Sequence, residues 1–269
     1  MNSSVPTPRL VATDLDGTLL RSDLTLSSFT RRVLREIESH AVHVLFVTAR
    51  PPRWMEPLRS AVGNYGRAIC LNGACIYDFS TGLSSSVRGF DHDGLAQLIA
   101  DIRAQIPDVS FAAERPSGAI FDPEFITEHP YGSESFIARV EDARDDVVGK
   151  LLARAPGLAD TEFFRIVDEV VGSRAHLAYS GASGLAELTA PGVTKASALA
   201  RWTADHGIAP QEVWAFGDMP NDIPMLQWAG HGVAVGNAHP DALAVANHIA
   251  PSNDDDGVAV VLNELLKIL

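Results

Sequence analysis

The stretch Leu10-Val11-Ala12-Thr13-Asp14-Leu15-Asp16-Gly17-Thr18 decides the fold. Its opening, Leu10-Val11-Ala12, is a short apolar run that a glycine turn cuts off, which reads as a buried strand with an abrupt end. Open α/β sheets bind ligands just beyond the carboxyl ends of such strands. Side chains two apart on an extended chain point the same way, so Asp14 and Asp16 are placed to share one site. Two acids spent at a strand end point to chemistry rather than packing.

Working outward, strands and helices alternate at both ends of the chain. Ser27 to His40 carries Phe29, Val33, Leu34 and Ile37 at helical spacing, with Ser27 or Ser28 as N-cap. Val42 to Val47 reads as a second strand ending in Thr48-Ala49-Arg50, and Pro51 and Pro52 open a further helix running toward Gly63. Ala68 to Leu71 is a third strand, stopped at Asn72-Gly73. Farther on, a helix from Thr194 to His206 leads to the strand Glu212 to Phe216, which ends at Gly217-Asp218. Pro220 to Trp228, Pro240 to Asn247 and Gly257 to Leu269 read as helices, with a strand at Gly232 to Val235. Repeated βα units predict a doubly wound, mainly parallel sheet covered by helices.

The middle of the chain is richer in Gly, Pro and loops. Asp93 to Ala104 and Ser135 to Arg144 read as helices, and Ala175 to Ser180 and Leu185 to Thr189 as strands of an antiparallel piece. The expected organisation is an α/β core over 1–82 and 188–269, with an α/β domain inserted over 83–187.

Composition bounds the function. The chain has 269 residues, 46% hydrophobic and 20% charged, enough for a large core. A formal charge of −13 argues against nucleic-acid and acidic-membrane partners, which need basic surface. Cys70 and Cys75 fit neither a zinc knuckle nor a C-x-x-C pair, so they read as small buried hydrophobes of a cytoplasmic protein. The start, Met1 to Pro8, has no apolar run of the secretory kind, and no segment is long and apolar enough to span a membrane. Nine histidines form no metal spacing, and the four tryptophans read as core.

Four segments in order resemble the haloacid dehalogenase (HAD) superfamily, and within it the Cof-type sugar-phosphate phosphatases with a large α/β cap. D-x-D-G-T matches Asp14 to Thr18, a hydroxyl at a strand end matches Thr48, a lysine opening a helix matches Lys195, and G-D-x-x-N-D matches Gly217 to Asp222. Asn72-Gly73-Ala74 and the tail from Ser252-Asn253 to Gly257-Val258 are similar too. The likeness covers the two core halves well and the inserted segment weakly.

The resemblance implies a Mg2+-dependent phosphatase of small phosphorylated metabolites, sugar phosphates foremost, with the insertion closing over the core. It implies that Asp14 attacks phosphorus to give an aspartyl-phosphate, and that Asp16 protonates the leaving oxygen and then activates water, for which a raised pKa is expected. The metal would be held by Asp14, Asp218, the Asp16 carbonyl and, directly or through water, Asp222. Thr48 and Lys195 would bind the phosphoryl oxygens, with Ala49, Arg50, Asn72, Gly73 and Asn221 around the substrate. Phosphate esters suit such a site, because their loose transition state asks mainly for placement and charge stabilisation.

Each residue also has a plain structural reading. Thr48 serves as a strand-end hydroxyl or helix cap, Lys195 as a solvated helix residue, and Asp218 and Asp222 as turn acids. Arg50 reaches a substrate oxygen or pairs with an acid, and Asn221 orients Asp14, touches substrate or braces a turn. Asp-x-Asp-Gly does not match a calcium loop, whose glycine falls sixth. A phosphotransferase or phosphomutase would use the same two acids, a dehalogenase would need no metal, and a non-catalytic sugar-phosphate-binding protein would keep the fold without turnover. Glu114, Arg115, Asp122 and Glu187 are polar groups of the insertion with no assigned role, and neither the oligomeric state nor the physiological substrate is set by the sequence.

Overall fold

The computed structural model describes residues 8–61, 66–127, 132, 134–142, 144, 146–180, 182–267 and 269. From the N-terminus come β1 (Leu10–Thr13), α1 (Ser28–Ser39), β2 (His43–Val47), β3 (Arg67–Cys70), β4 (Cys75–Asp78) and β5 (Leu83–Ser85). Next are α2 (His92–Gln105), β6 (Ser110–Arg115), β7 (Gly118–Phe121), β8 (Ser135–Ile137), β9 (Lys150–Arg154), α3 (Asp160–Val171), β10 (His176–Ala178) and β11 (Ala186–Thr189). The chain closes with α4 (Lys195–Asp205), β12 (Val213–Gly217), α5 (Ile223–Trp228), β13 (His231–Ala234), α6 (Pro240–Val245), β14 (His248–Ile249) and α7 (Gly257–Leu265).

Two sheets result. The larger runs β14-β13-β12-β1-β2-β3-β4-β5 and is parallel from β14 to β3, with β4 and β5 added antiparallel. β1 and β12, at its centre, are wholly buried, as strands covered on both faces must be. On the surrounding layers, α1 packs against α7 and α4 against α5. The smaller sheet runs β10-β11-β9-β6-β7-β8 and is antiparallel except at its β7–β8 edge. The expected junction at 82/83 falls at the start of β5, in the larger sheet, and that at 187/188 falls inside β11, in the smaller one.

Two expected helices are not formed. Ser135 to Arg144 instead gives β8 and a short 3₁₀ turn at Val140–Asp142. The free edge of β7 offers Ser135, Phe136 and Ile137 a parallel ladder, and that pairing overrides local helical spacing. After Pro51 the chain makes two 3₁₀ turns, Pro52–Trp54 and Glu56–Ala61, because successive prolines at 51, 52 and 57 withhold the N–H donors of a regular helix. The expected end of that helix at Gly63 lies outside the described residues. The last helix stops at Leu265, four residues short of its expected end at Leu269.

Cys70 and Cys75 face each other across β3 and β4 as free, buried thiols, and burial pushes Cys75 up to about 12 and Cys70 well above its usual value. They behave as the small core residues expected. No helix among the described residues is long and apolar enough to cross a membrane.

The turn between β3 and β4 packs closely on the start of α4. Gly73 sits there at φ +109°, and a Cβ added to it would lie 2.3 Å from the Thr194 carbonyl oxygen, immediately before α4. Gly73→Ala is therefore expected to cost more than about 1 kcal/mol, read as a lowered urea midpoint at unchanged slope.

Candidate active site

The parallel strands deliver their C-terminal ends to one edge of the larger sheet, and the expected residues gather there. Asp14 follows β1 and extends its ladder, its N–H donating to the Phe216 carbonyl at 3.0 Å. The chain then turns through Leu15–Leu19, with Gly17 at φ +74°. A Cβ on Gly17 would meet Asp218 Oδ2 at 2.3 Å, so only glycine lets this loop approach the end of β12 so closely. Thr18 completes the contact, its hydroxyl donating to Asp218 Oδ1 at 2.7 Å.

Lys195 opens α4 behind the capping box of Thr194 and Ser197. Its ammonium is 2.8 Å from Asp222 Oδ1 and 3.1 Å from Asp14 Oδ1, with almost no solvent exposure. It is thus no solvated helix residue. Burial opposes its charge, but Asp14 and Asp222 outweigh that and hold its pKa above the usual lysine value. Asp222 Oδ2 accepts the backbone N–H groups of Asp218 and Met219 at 3.1 Å each. With Oδ1 engaged by Lys195, Asp222 is chiefly a brace for the loop after β12.

Asp14, Asp218 and Asp222 each bring a carboxylate oxygen within 4.8 Å of the others. This concentration of acid changes how they titrate. Burial raises Asp14 well above its usual value; Lys195 opposes this, and Asp222, Asp218 and Asp16 add to it. Burial likewise lifts Asp218 to about 6, with Asp222 adding and Thr18 and Lys195 opposing. One buried ammonium does not balance so many carboxylates. The all-oxygen donor set and its excess negative charge fit a hard divalent cation such as Mg2+.

Thr48 is buried at the end of β2, where its hydroxyl accepts the Arg50 N–H at 3.1 Å and its carbonyl accepts from Asn72. Arg50 takes the second of its two open readings and pairs with an acid. Its guanidinium grips both oxygens of Asp16, at 2.5 and 2.7 Å. The Ala49 carbonyl accepts from Lys150 Nζ at 2.9 Å.

Asn72, buried and in the left-handed region at φ 54°, donates from Nδ2 to Glu187 at 2.9 Å. Its Oδ1 accepts from Asn221 Nδ2 at 3.3 Å, while Asn221 Oδ1 is buried and has no hydrogen-bond partner among the described residues. Gly73 faces away from this cleft, toward a second hollow lined by Arg88, Arg201 and Trp202.

The smaller sheet covers the site and encloses a cleft of about 600 Å³. Asp14, Asp16, Thr48, Arg50 and Lys195 form its floor, and Trp54, Phe121, Phe125, Leu152 and Leu185 much of its walls. Lys150, Glu187 and Glu114 also line it; Lys150 and Glu187 pair at 3.1 Å, and Glu114 pairs with Arg53. Sequence reasoning missed Lys150 and gave Glu114 and Glu187 no role. The available signal was a charge set inside an apolar run, as in Val148-Gly149-Lys150-Leu151-Leu152 and Leu185-Ala186-Glu187-Leu188. Arg115 and Asp122 are buried in the smaller sheet and do not line the cleft.

Comparison with known proteins places this geometry. Residues 11–262 match the model of the haloacid dehalogenase-like hydrolases. The 5-amino-6-(5-phospho-D-ribitylamino)uracil phosphatase YcsE of Bacillus subtilis (strain 168) is 30% identical over 253 residues, covering 93% of each chain. The pyridoxal phosphate phosphatase YbhA of Escherichia coli (strain K12) is 27% identical, covering 94% of this chain and 97% of its own. A solved structure from Streptococcus mutans UA159 shares the fold with a TM-score of 0.83 at 22% identity, over 97% of this chain and all of that one. Members of this family generally use Mg2+. With acids, lysine and hydroxyl assembled at the carboxyl edge of a parallel sheet and a family match along nearly its whole length, the chain belongs to the haloacid dehalogenase-like hydrolases, as a phosphoric monoester hydrolase of the Cof type.

Proposed function

We propose that this enzyme hydrolyses small phosphate monoesters with Mg2+ through an aspartyl-phosphate on Asp14. The observation that carries this reading is the convergence of Asp14, Asp218 and Asp222 around the buried Lys195 ammonium. In the first step the Asp14 carboxylate attacks phosphorus, and the bond to the leaving oxygen breaks as Asp16 protonates it. In the second, Asp16 takes a proton from water, which attacks the acyl phosphate and regenerates Asp14. Lys195 and the Thr48 hydroxyl steady the phosphoryl oxygens. Mg2+, held by Asp14, Asp218 and the Asp16 carbonyl with Asp222 behind them, would offset the repulsion between a carboxylate and a phosphate dianion.

Asp16 is bound at both oxygens by Arg50. A guanidinium fork grips phosphate as readily as carboxylate. An incoming phosphate therefore draws Arg50 away, and Asp16, released from the guanidinium, takes up a proton from solvent and passes it to the leaving oxygen. The segment from the end of β5 to β11 acts as a cap that excludes water during these steps.

For the substrate we propose a phosphorylated sugar or polyol, with or without an attached planar ring. Polar groups near the floor suit hydroxyls, and Trp54, Phe121 and Phe125 on the walls suit a ring. The two relatives are named for an aminouracil ribityl phosphate and for pyridoxal phosphate, each of which joins a phosphate to a heterocycle.

Asp14→Asn is expected to lower Mg2+-dependent phosphate release by at least about a thousandfold with an unchanged circular dichroism spectrum. Retained release would dismiss Asp14 as nucleophile. Asp16→Asn is expected to lose about 10²- to 10⁴-fold, and free phosphate rather than a transferred phosphoryl group separates hydrolysis from a mutase.

The acid cluster also sets a pH signature. An unfolded Asp ionises near 3.8 and folded Asp218 near 6, so between these values the folded chain holds the extra proton. Stability of the metal-free protein falls as pH rises across that window. Added Mg2+ is then expected to raise the melting temperature more at about pH 7.5 than at about pH 5, with the shift reversed by chelator. A shift that is equal at both values would show that the carboxylates do not hold the ion.

A further inference from the structure

The roof of the cleft is divided. In the smaller sheet Glu114 lies opposite Lys150, and Glu187 lies one pleat diagonally from it, so the three charges share one face. Farther along the same sheet, Phe121 and Leu152 join Phe125 in an apolar patch. The charged end sits against the floor and the apolar end away from it. A ligand anchored by its phosphate beside Asp14 therefore meets polar groups first and apolar ones second.

Lys150 is the anomaly in that roof. It is 5% exposed, although lysine is among the residues least often buried. Of the three donors on its ammonium, one meets the Ala49 carbonyl at 2.9 Å and one meets Glu187 Oε2 at 3.1 Å. Glu187 is fully engaged in turn. Its Oε1 accepts from Ser180 at 2.6 Å, and its Oε2 also accepts from Asn72 at 2.9 Å. Burial would raise this carboxyl, but Lys150, Ser180 and Asn72 outweigh it and keep the acid ionised. The pair thus spans both sheets, tying β9 and β11 to the loops after β2 and β3.

We propose that Lys150 is a specificity-determining residue of the phosphatase, its third N–H donating to an acceptor oxygen, hydroxyl or carbonyl, on the leaving group. Glu187 and Asn72 are positioning residues that hold Lys150 at the floor when the smaller sheet is closed over it. This deepens the phosphatase reading and rests on it. The enzyme should favour phosphate esters with an oxygen a few bonds from the phosphate over those whose leaving group is bare hydrocarbon. A buried donor left without its acceptor is penalised, which turns one hydrogen bond into discrimination between substrates.

The test compares kcat/KM for ribose 5-phosphate and pyridoxal 5′-phosphate, which carry such oxygens, with that for phenyl phosphate, which carries none. Wild type, Lys150→Met and Lys150→Arg are assayed with Mg2+. Lys150→Met is expected to reduce the preference for the oxygen-bearing esters over phenyl phosphate by about 10- to 100-fold, chiefly through KM, and Lys150→Arg to restore part of it. Loss by one common factor on every ester would overturn the proposal, because a purely structural lysine does not distinguish leaving groups. Lys150→Met leaves Glu187 as a buried unpaired charge, so Lys150→Met/Glu187→Gln, which removes both charges, is measured beside it and must show the same loss of preference. Wild-type hydrolysis of phenyl phosphate that proceeds without Mg2+ or survives Asp14→Asn would instead strike at the nucleophile and metal assignment.

Discussion

The site depends on one ammonium. Lys195 is buried between Asp14 and Asp222, and Asp218 is bound to the Asp222 side chain through its own N–H. Without that cation, the ends of β1 and β12 would hold uncompensated carboxylates within 4.8 Å of one another. Even with it, Asp14 and Asp218 titrate high, so the assembled site is short of positive charge. The fold therefore stores a demand for a cation at the place where a phosphate ester must approach. Stability of the free protein is given up there, at a set of oxygen donors that fits a hard divalent cation.

The parallel sheet makes this convergence inexpensive in chain length. β1, β2 and β12 are adjacent, so residues one step past each strand end are neighbours although they lie far apart in sequence. Gly17 and Gly73 then remove the side chains that would keep the connecting loops apart. The smaller sheet adds a roof whose polar end touches Ala49 and Asn72. Floor and roof are joined by hydrogen bonds to backbone and amide groups and by the Arg53–Glu114 pair, which can be broken and remade as the two parts separate.

The core was legible in the sequence because each signal is local. An apolar run followed by Asp14, Thr48 or Asp218 encodes both the strand and the residue at its end. Lys195 stands at a helix start behind Thr194, but only the resemblance separates it from a solvated helix residue. What the sequence did not reveal depends on contacts between distant segments. Ser135 to Ile137 form a strand because the edge of β7 is available, and nothing local announces that edge. Arg50 carried two readings until Asp16 was seen within its reach. Lys150 and Glu187 stand in different strands, and only the register between β9 and β11 makes them partners.

That pairing bears on how the cap contributes to rate as well as choice. A lysine in a dry roof strengthens any hydrogen bond it gives, because little water competes for it. On the proposal that Lys150 reads the leaving group, an empty position is costly, and a leaving group that fills it favours the smaller sheet held over the floor. Lys150 of β9 donates to the Ala49 carbonyl, in the loop whose Arg50 grips Asp16. On the proposed mechanism, recognition of the leaving group and the freeing of Asp16 act on one loop, so a substrate that satisfies the roof also prepares the floor.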